Sequence, residues 1–310
     1  MQKSAKTILN DCLNVKRNEK VLIIADSKTK KIGEGILNEA RKITNASLKI
    51  IPVGKHDGEE PPKKIAEEML FYDVVIAPTT TSLTHTKAVQ DARKNARIAT
   101  LPGITNEIMN GSLLADYNKI EKFTKEVFGK LKNSKEIKVM TPTGSDFVFS
   151  AKDRNWLLDT GIIHNKGRCG NLPAGEVFIA PVEGSFDGKI VIDFFKNRDR
   201  IYAKKWTEIE VRKGLVIRCS EKSSKINLYF KNIKNADNIA EFGIGTNYKA
   251  KLMGNILNDE KVLGTVHVAF GNNSSIGGRV YSELHLDTVL QKATIVADGE
   301  ILMKKGRFFL

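Results

Sequence analysis

Short apolar segments alternate with amphipathic segments along the first 133 residues. The apolar segments have the length and composition of buried strands, and the segments between them repeat apolar residues at helical spacing. We predict strands over 21–25, 48–53, 74–77 and 98–101, and helices over 32–43, 63–70, 86–95 and 116–132. This alternation is typical of a parallel sheet covered by helices.

Short strands and turns replace this pattern from residue 134 onward. We predict strands over 136–141, 147–150, 176–180, 189–194, 213–218, 264–270 and 293–297. The turn at 143–146 indicates a hairpin between the first two. The predicted fold class is therefore α/β, with an N-terminal parallel-sheet α/β domain at 1–133 and a β-rich α+β domain at 134–310.

Composition excludes several protein classes. The chain has 310 residues, of which 41% are hydrophobic and 28% charged, as in ordinary globular proteins. No apolar run reaches the ~18 residues of a membrane span, and the N-terminus lacks a signal-peptide core. We therefore predict a cytoplasmic protein. The three cysteines show no CxxC spacing, so neither a disulfide framework nor a thiolate zinc site is indicated.

The chain is basic, with 50 Lys and Arg against 36 Asp and Glu and a net charge of +14. Such a charge fits a nucleic-acid-binding protein, which is the third function that we consider. However, the lysines are interspersed with acidic residues, and aromatic residues make up only 7% of the chain. We favour a solvated basic surface, without a specific nucleic-acid partner or a membrane partner.

Candidate metal ligands concentrate in the second half. On the predicted strand 264–270, His267 lies on the face opposite Val266 and Val268, beside small side chains. His285 and Asp287 are two residues apart, so that on a strand both point the same way. Two imidazoles and one carboxylate form the smallest set that leaves a divalent metal open to substrate. Each residue taken alone also fits a purely structural hydrogen bond.

Two acidic residues extend this set. Glu176 follows a Pro/Gly turn and enters an apolar strand, where a carboxylate must be exposed, paired with a basic residue, or part of a site. Glu241 has similar apolar neighbours.

Several segments resemble the M29, or aminopeptidase T, family of metalloaminopeptidases. The resemblance rests on 171–181, 259–271 and 285–287, and on 82–88 and 99–105 in the N-terminal half. It implies the metal ligands Glu176, Glu241, His267, His285 and Asp287, of which Glu176 and Glu241 are also candidate catalytic carboxylates. The sequence departs from the longer members at Glu241, which precedes a glycine instead of following it.

The resemblance implies a homodimeric metallopeptidase that removes N-terminal residues from peptides. Zinc, cobalt or manganese would activate a water molecule for attack on the amide carbonyl. The alternative arises from relatives of M29 that are Fe(II)-dependent ring-cleaving dioxygenases of the dihydroxypyridine type. For such an enzyme, His267, His285 and Asp287 would form a 2-His-1-carboxylate site for a small-molecule substrate.

Overall fold

The computed structural model describes residues 1–193 and 203–310, and the backbone of 196–197 and 200–201 between them. Phe194, at the end of the predicted strand 189–194, lies outside the described residues. Contacts between Cα atoms divide the chain into two compact units. Unit 1 comprises 1–121, 159–174 and 248–250, and unit 2 comprises 122–158, 175–247 and 251–310.

The described helices and strands are numbered in chain order. The helices are α1 (Gln2–Lys6), α2 (Lys30–Ala40), α3 (Lys63–Met69), α4 (Lys87–Ala92), α5 (Asn106–Met109), α6 (Tyr117–Leu131), α7 (Lys225–Asn232) and α8 (Ile256–Asp259). The first ten strands are β1 (Lys20–Asp26), β2 (Asn45–Ile51), β3 (Val74–Ala77), β4 (Arg97–Thr100), β5 (Glu136–Met140), β6 (Asp146–Ser150), β7 (Leu157–Asp159), β8 (Cys169–Asn171), β9 (Glu176–Ile179) and β10 (Asp187–Val191). The others are β11 (Lys196–Asn197), β12 (Arg200–Ile201), β13 (Glu208–Arg212), β14 (Leu215–Cys219), β15 (Ile239–Gly245), β16 (Val266–Gly271), β17 (His285–Leu290), β18 (Thr294–Ala297), β19 (Glu300–Lys304) and β20 (Arg307–Phe308). A π-helical segment (Thr7–Cys12) continues α1, and short 3-10 helices lie at Ser112–Leu114 and Ser274–Ile276.

Unit 1 contains a five-stranded parallel sheet in the order β2-β1-β3-β4-β8. Alternate residues of β1 enter two different cores, Val21 and Ile23 on one face and Leu22 and Ile24 on the other. A sheet buried on both faces requires strands that are apolar throughout, which is why these segments read as continuous apolar runs. Strand β8 was not predicted.

Unit 2 contains an eight-stranded sheet in the order β14-β13-β10-β6-β5-β18-β19-β20 and a five-stranded sheet in the order β17-β16-β15-β9-β7. Their apolar faces contribute to one core, in which Phe147 and Phe149 of β6 lie near Phe186 and Phe242. Phe149 and Phe242 have ring centroids 5.0 Å apart. Because side chains alternate along a strand, the residues next to Phe242 on β15 face away from this core.

The predicted fold class is confirmed: a parallel α/β sheet in unit 1 precedes antiparallel strands in unit 2. The predicted strand 213–218 is wrong at its start, because Lys213 and Gly214 form a turn with positive φ that separates β13 from β14.

Segment 159–174 returns to unit 1, so the units are not continuous in sequence. The domain boundary near 133 therefore stays a prediction. Among the described residues, no helix is long and apolar enough to cross a membrane.

A largely buried ion pair joins β4 to the residue that precedes β1 in unit 1. Arg97 donates to both carboxylate oxygens of Glu19, at 2.8 and 2.7 Å, and its Nε donates to the carbonyl of Leu13 at 2.9 Å. The hydrogen bonds from Arg97 hold the pKa of Glu19 below its ordinary value of 4.5. The pair therefore stabilises the fold above about pH 4.5, and this contribution is lost as the pH falls through the lowered pKa.

We expect Glu19→Gln to reduce the free energy of unfolding by about 3 kcal/mol at neutral pH, because Arg97 loses its charged partner. The difference from wild type should shrink as the pH falls below about 4. Urea unfolding monitored by circular dichroism at several pH values measures both effects. Glu67→Gln is the matched control, since Glu67 lies 3.9 Å from exposed Lys63 and should change stability by less than about 1 kcal/mol. Equal losses of unfolding free energy in Glu19→Gln and Glu67→Gln would contradict the stabilising role of the Arg97–Glu19 pair.

Candidate metal centre

The register of the five-stranded sheet gathers the candidate ligands on one face. Glu241 of β15 is paired with Ala269 of β16, which is paired with Asp287 of β17. The same face carries the other candidates through three further pairs: Gly243 with His267, Gly271 with His285, and Gly245 with Glu176. All five predicted ligands therefore lie on the side of the sheet opposite the aromatic core.

Glu241 lies between the two imidazoles. Its Oε1 is 3.3 Å from Nε2 of His267, and its Oε2 is 3.5 Å from Nε2 of His285. Nε2 of His267 is also 3.5 Å from Oε2 of Glu176, and Nε2 of His285 is 3.7 Å from Oδ1 of Asp287. One ligand atom each from Glu176, Glu241 and His267 lie within 4.8 Å of one another. Both Nε2 atoms thus face the carboxylates.

The cluster has a buried end and an accessible end. The side chains of Glu176 and His267 are 7% and 1% exposed, whereas that of His285 is 36% exposed. Nδ1 of His285 donates to the backbone carbonyl of Asn272 at 2.7 Å. In a neutral ring this bond leaves Nε2 without a proton and aimed at the carboxylates. Metal-bound histidines commonly make the same kind of bond, from the ring nitrogen that does not bind the metal to a backbone carbonyl.

Two glycines of β15 make room for the cluster. A Cβ atom at Gly243 would lie 2.1 Å from Cε1 and Nε2 of His267, so the imidazole occupies the space that a side chain would take. A Cβ atom at Gly245 would lie 2.1 Å from the carbonyl oxygen of Val262 and 2.8 Å from that of Glu260. The alternation Glu241-x-Gly243-x-Gly245 is the sequence signal for this close approach.

Sequence reasoning missed Glu260 and Lys261. The ammonium group of Lys261, which is 2% exposed, contacts Oε1 of Glu176 and lies 2.8 Å from Oε1 of Glu260. Of the roles left open for Glu176, exposure is excluded, and pairing with a basic residue is what the structure shows. The signal was available in the charged triplet 259–261, which four residues separate from the buried strand β16.

Burial and charge oppose each other at the imidazoles. Burial alone would lower the pKa of His267, but the hydrogen bond to Glu241 and the nearby charge of Glu176 raise it to about 9. Burial likewise acts against protonated His285, whose pKa is nevertheless raised to about 10 by Asp287 and Glu241. In the metal-free protein both rings are therefore protonated at neutral pH and supply two positive charges.

The pKa values of Asp287 and Glu260 are shifted in opposite directions. Burial acts to raise the pKa of Asp287, yet the adjacent charge of His285, with smaller effects from His267 and Lys261, lowers it to about 2. Burial acts to raise the pKa of Glu260, and the charge of Lys261 acts to lower it. The lowered pKa keeps Asp287 a carboxylate at neutral pH.

The residues fit a divalent metal ion. Imidazole and carboxylate donors suit zinc, manganese and iron, and a divalent ion would supply the same two charges as the imidazole protons that it displaces. Oε2 of Glu176 is buried and has no hydrogen-bond partner among the described residues, although it faces Nε2 of His267. This unsatisfied carboxylate oxygen at the buried end of the cluster is an acceptor that a nearby cation would satisfy.

A sheet face that gathers imidazoles and carboxylates is typical of a metal-dependent enzyme. The family comparison makes this class more specific. The model of the NicX family, 2,5-dihydroxypyridine 5,6-dioxygenase, matches residues 1–310, and the chain belongs to this family.

Individual relatives agree with this assignment. The 2,5-dihydroxypyridine 5,6-dioxygenase of Pseudomonas putida (strain KT2440) is 24% identical over 195 residues, which is 57% of this chain and 55% of that protein. The chain thus matches about half the length of this curated relative.

Two solved structures share the fold at 17% identity. The 2,5-dihydroxypyridine dioxygenase from P. putida KT2440 has a TM-score of 0.82, with 99% of this chain and 96% of that chain covered. AmpT from Thermus thermophilus has a TM-score of 0.73, with 100% and 98% covered.

The prediction of a metal-dependent aminopeptidase, and with it the class of hydrolase or protease, is wrong. The matching family model and the curated relative are those of a dioxygenase, which is an oxidoreductase. The resemblance to aminopeptidase T reflects a fold that both kinds of enzyme share. The error has a chemical reason: two imidazoles and a carboxylate can hold either a hydrolytic or an oxygen-activating metal.

We expect Gly243→Ala to weaken divalent-metal binding by about 10- to 100-fold, because the added Cβ displaces the imidazole of His267. Competition with a chromophoric chelator measures the affinity. Gly129→Ala in α6 is the matched control, since no atom lies within 4 Å of its added Cβ and metal binding should not change. Wild-type affinity in Gly243→Ala would show that this imidazole position is not needed for the metal.

Proposed function

We propose that this protein is an Fe(II)-dependent ring-cleaving dioxygenase that acts on a dihydroxypyridine or a closely similar hydroxylated aromatic ring. One observation carries the proposal: on one sheet face, His267 and His285 both direct Nε2 at Glu241, and Asp287 lies beside His285, in a chain of the dioxygenase family. A 2-His-1-carboxylate set with open positions is the ligand arrangement of non-haem Fe(II) oxygenases.

In this proposal His267, His285 and Asp287 hold the metal. Each imidazole directs Nε2 towards the carboxylates, and the charge of His285, acting against burial, lowers the pKa of Asp287. Glu176 is the least available of the acidic groups, because Lys261 already binds one of its oxygens. Engagement of Glu176 by Lys261 reduces the number of carboxylates free to bind metal, which favours an oxygenase site over a carboxylate-rich hydrolytic one.

Bound Fe(II) would supply the redox chemistry for the reaction of a hydroxylated ring with dioxygen. Glu241 is the carboxylate placed between the two imidazoles, with one oxygen directed at each ring. From that position Glu241 can accept a proton from a substrate hydroxyl group. The accessible end at His285 is the side from which a substrate can enter, because Glu176 and His267 at the other end are buried.

The identity of the metal and the assembly of the protein belong to the same proposal. Iron is expected in place of the zinc, cobalt or manganese of the hydrolytic alternative. We also propose a homodimer located in the cytoplasm, which light scattering and cell fractionation would test. The substrate is a small molecule.

We expect anaerobically purified protein loaded with Fe(II) to consume about one O₂ for each 2,5-dihydroxypyridine that loses its ring absorbance. An oxygen electrode and a spectrophotometer measure the two quantities. Zinc-loaded protein is the control and should be inactive, because zinc has no redox chemistry. Oxygen consumption that is absent with every hydroxylated pyridine tested would refute the proposal.

We expect the double variant His285→Ala/Asp287→Ala to retain less than about a tenth of the wild-type iron and to lose dioxygenase activity, because two of three ligands are gone. The fold should persist, since both side chains lie towards the accessible end of the cluster. Elemental analysis gives metal per chain, and circular dichroism reports the fold. His56→Ala removes an exposed histidine and should keep full iron content. Unchanged iron in the double variant would exclude both residues as ligands.

A further inference from the structure

Lys261 is a buried cation in the same carboxylate cluster as the candidate metal ligands. Its side chain is 2% exposed, and its ammonium group contacts Oε1 of Glu176 while lying 2.8 Å from Oε1 of Glu260. A lysine is almost never buried so completely unless acidic groups surround it. The ammonium group therefore occupies a place where the protein requires a positive charge.

The backbone holds Lys261 in this place from several directions. The amide of Asn247 donates to the carbonyl of Lys261 at 2.8 Å, and the amide of Lys261 donates to the carbonyl of Asn258 at 3.2 Å. Gly245 allows the segment to lie directly against β15, because any Cβ there would collide with the backbone of Val262. The position of the ammonium group is thus built into the fold.

We propose that the ammonium group of Lys261 takes the place of a second metal ion and limits the cluster to one divalent cation per chain. Carboxylates that hold a pair of metals commonly bridge them, with the metals about 3.5–4 Å apart. In Glu176 one oxygen is bound to Lys261 and the other faces His267, so the carboxylate joins a fixed cation to the imidazole side of the cluster. The inference rests on the proposed metal site and specifies how many divalent ions it binds per chain.

Repulsion provides the physical reason. A divalent ion on the Lys261 side of Glu176 would lie in contact distance of an ammonium group, away from bulk water, where like charges repel strongly. Removal of the ammonium group would free Oε1 of Glu176 and leave Glu260 without its cation. The two oxygens together would then form the donor set for a second divalent ion.

Lys261→Met tests the proposal because it keeps the length and apolar stem of the side chain and removes the charge. Purified metal-free protein is incubated with excess Mn²⁺, and bound metal per chain is measured after gel filtration. Wild type is expected to bind about one Mn²⁺ and to give the six-line electron paramagnetic resonance spectrum of an isolated ion. Lys261→Met is expected to bind about two and to give the broadened spectrum of a coupled pair.

Lys251→Met is the matched control, since Lys251 is exposed, lies in the same segment and causes the same change in net charge. It should bind about one Mn²⁺, as wild type does. If Lys261→Met does not fold, Glu260→Gln/Lys261→Met removes one charge of each sign and should still admit a second ion at Glu176.

The outcomes separate this proposal from the proposed function. One Mn²⁺ in wild type and one in every Lys261 variant overturns the role of Lys261 but leaves the metal site and dioxygenase activity intact. Two Mn²⁺ in wild type overturns the role of Lys261 as well. Absence of bound metal in wild type overturns both proposals. If wild type binds one Mn²⁺ but the Fe(II)-loaded protein has no activity towards dihydroxypyridines, only the proposed function is contradicted.

Discussion

Compensation of buried negative charge is the constraint on which the site in unit 2 depends. Glu176, Glu241 and Glu260 are all buried on or beside one face of a single sheet. Buried carboxylates are costly unless positive charge and hydrogen bonds surround them. The ammonium group of Lys261 contacts Glu176 and Glu260, and the imidazoles of His267 and His285 face Glu176, Glu241 and Asp287. Under the proposed function, a metal ion would replace the positive charge that the imidazole protons supply.

Apolar packing on the opposite face of the same sheet stabilises the strands that carry the buried charged groups. Phe242 of β15 packs among Phe147, Phe149 and Trp156, so each residue of β15 that enters the aromatic core is followed by one on the charged face. Two of those charged-face positions, Gly243 and Gly245, have no side chain, which leaves room for an imidazole and for a crossing backbone segment. The strand therefore combines a rigid apolar support with space for chemistry.

The correction from aminopeptidase to dioxygenase shows how little a ligand set says about the reaction. The chain shares its fold with AmpT and with a 2,5-dihydroxypyridine dioxygenase, at 17% identity to each. The same imidazoles and carboxylates are compatible with activation of water or of dioxygen, because both reactions need a metal with open positions. Which reaction such a site performs depends on the metal and on the groups around it.

Periodicity alone determined the α/β half, the β-rich half and the orientation of His267, His285 and Asp287, because side-chain direction along a strand follows from local geometry. Proximity between distant segments was decided only by the tertiary structure. β8 joins the parallel sheet through a pairing with β4, which no local pattern encodes. Likewise Lys261 reaches Glu176 across 85 positions, and the imidazole of His267 fills the space above Gly243 on a neighbouring strand. Such contacts depend on strand register and sheet order, which are set by the packing of the whole unit and not by the residues next to each side chain.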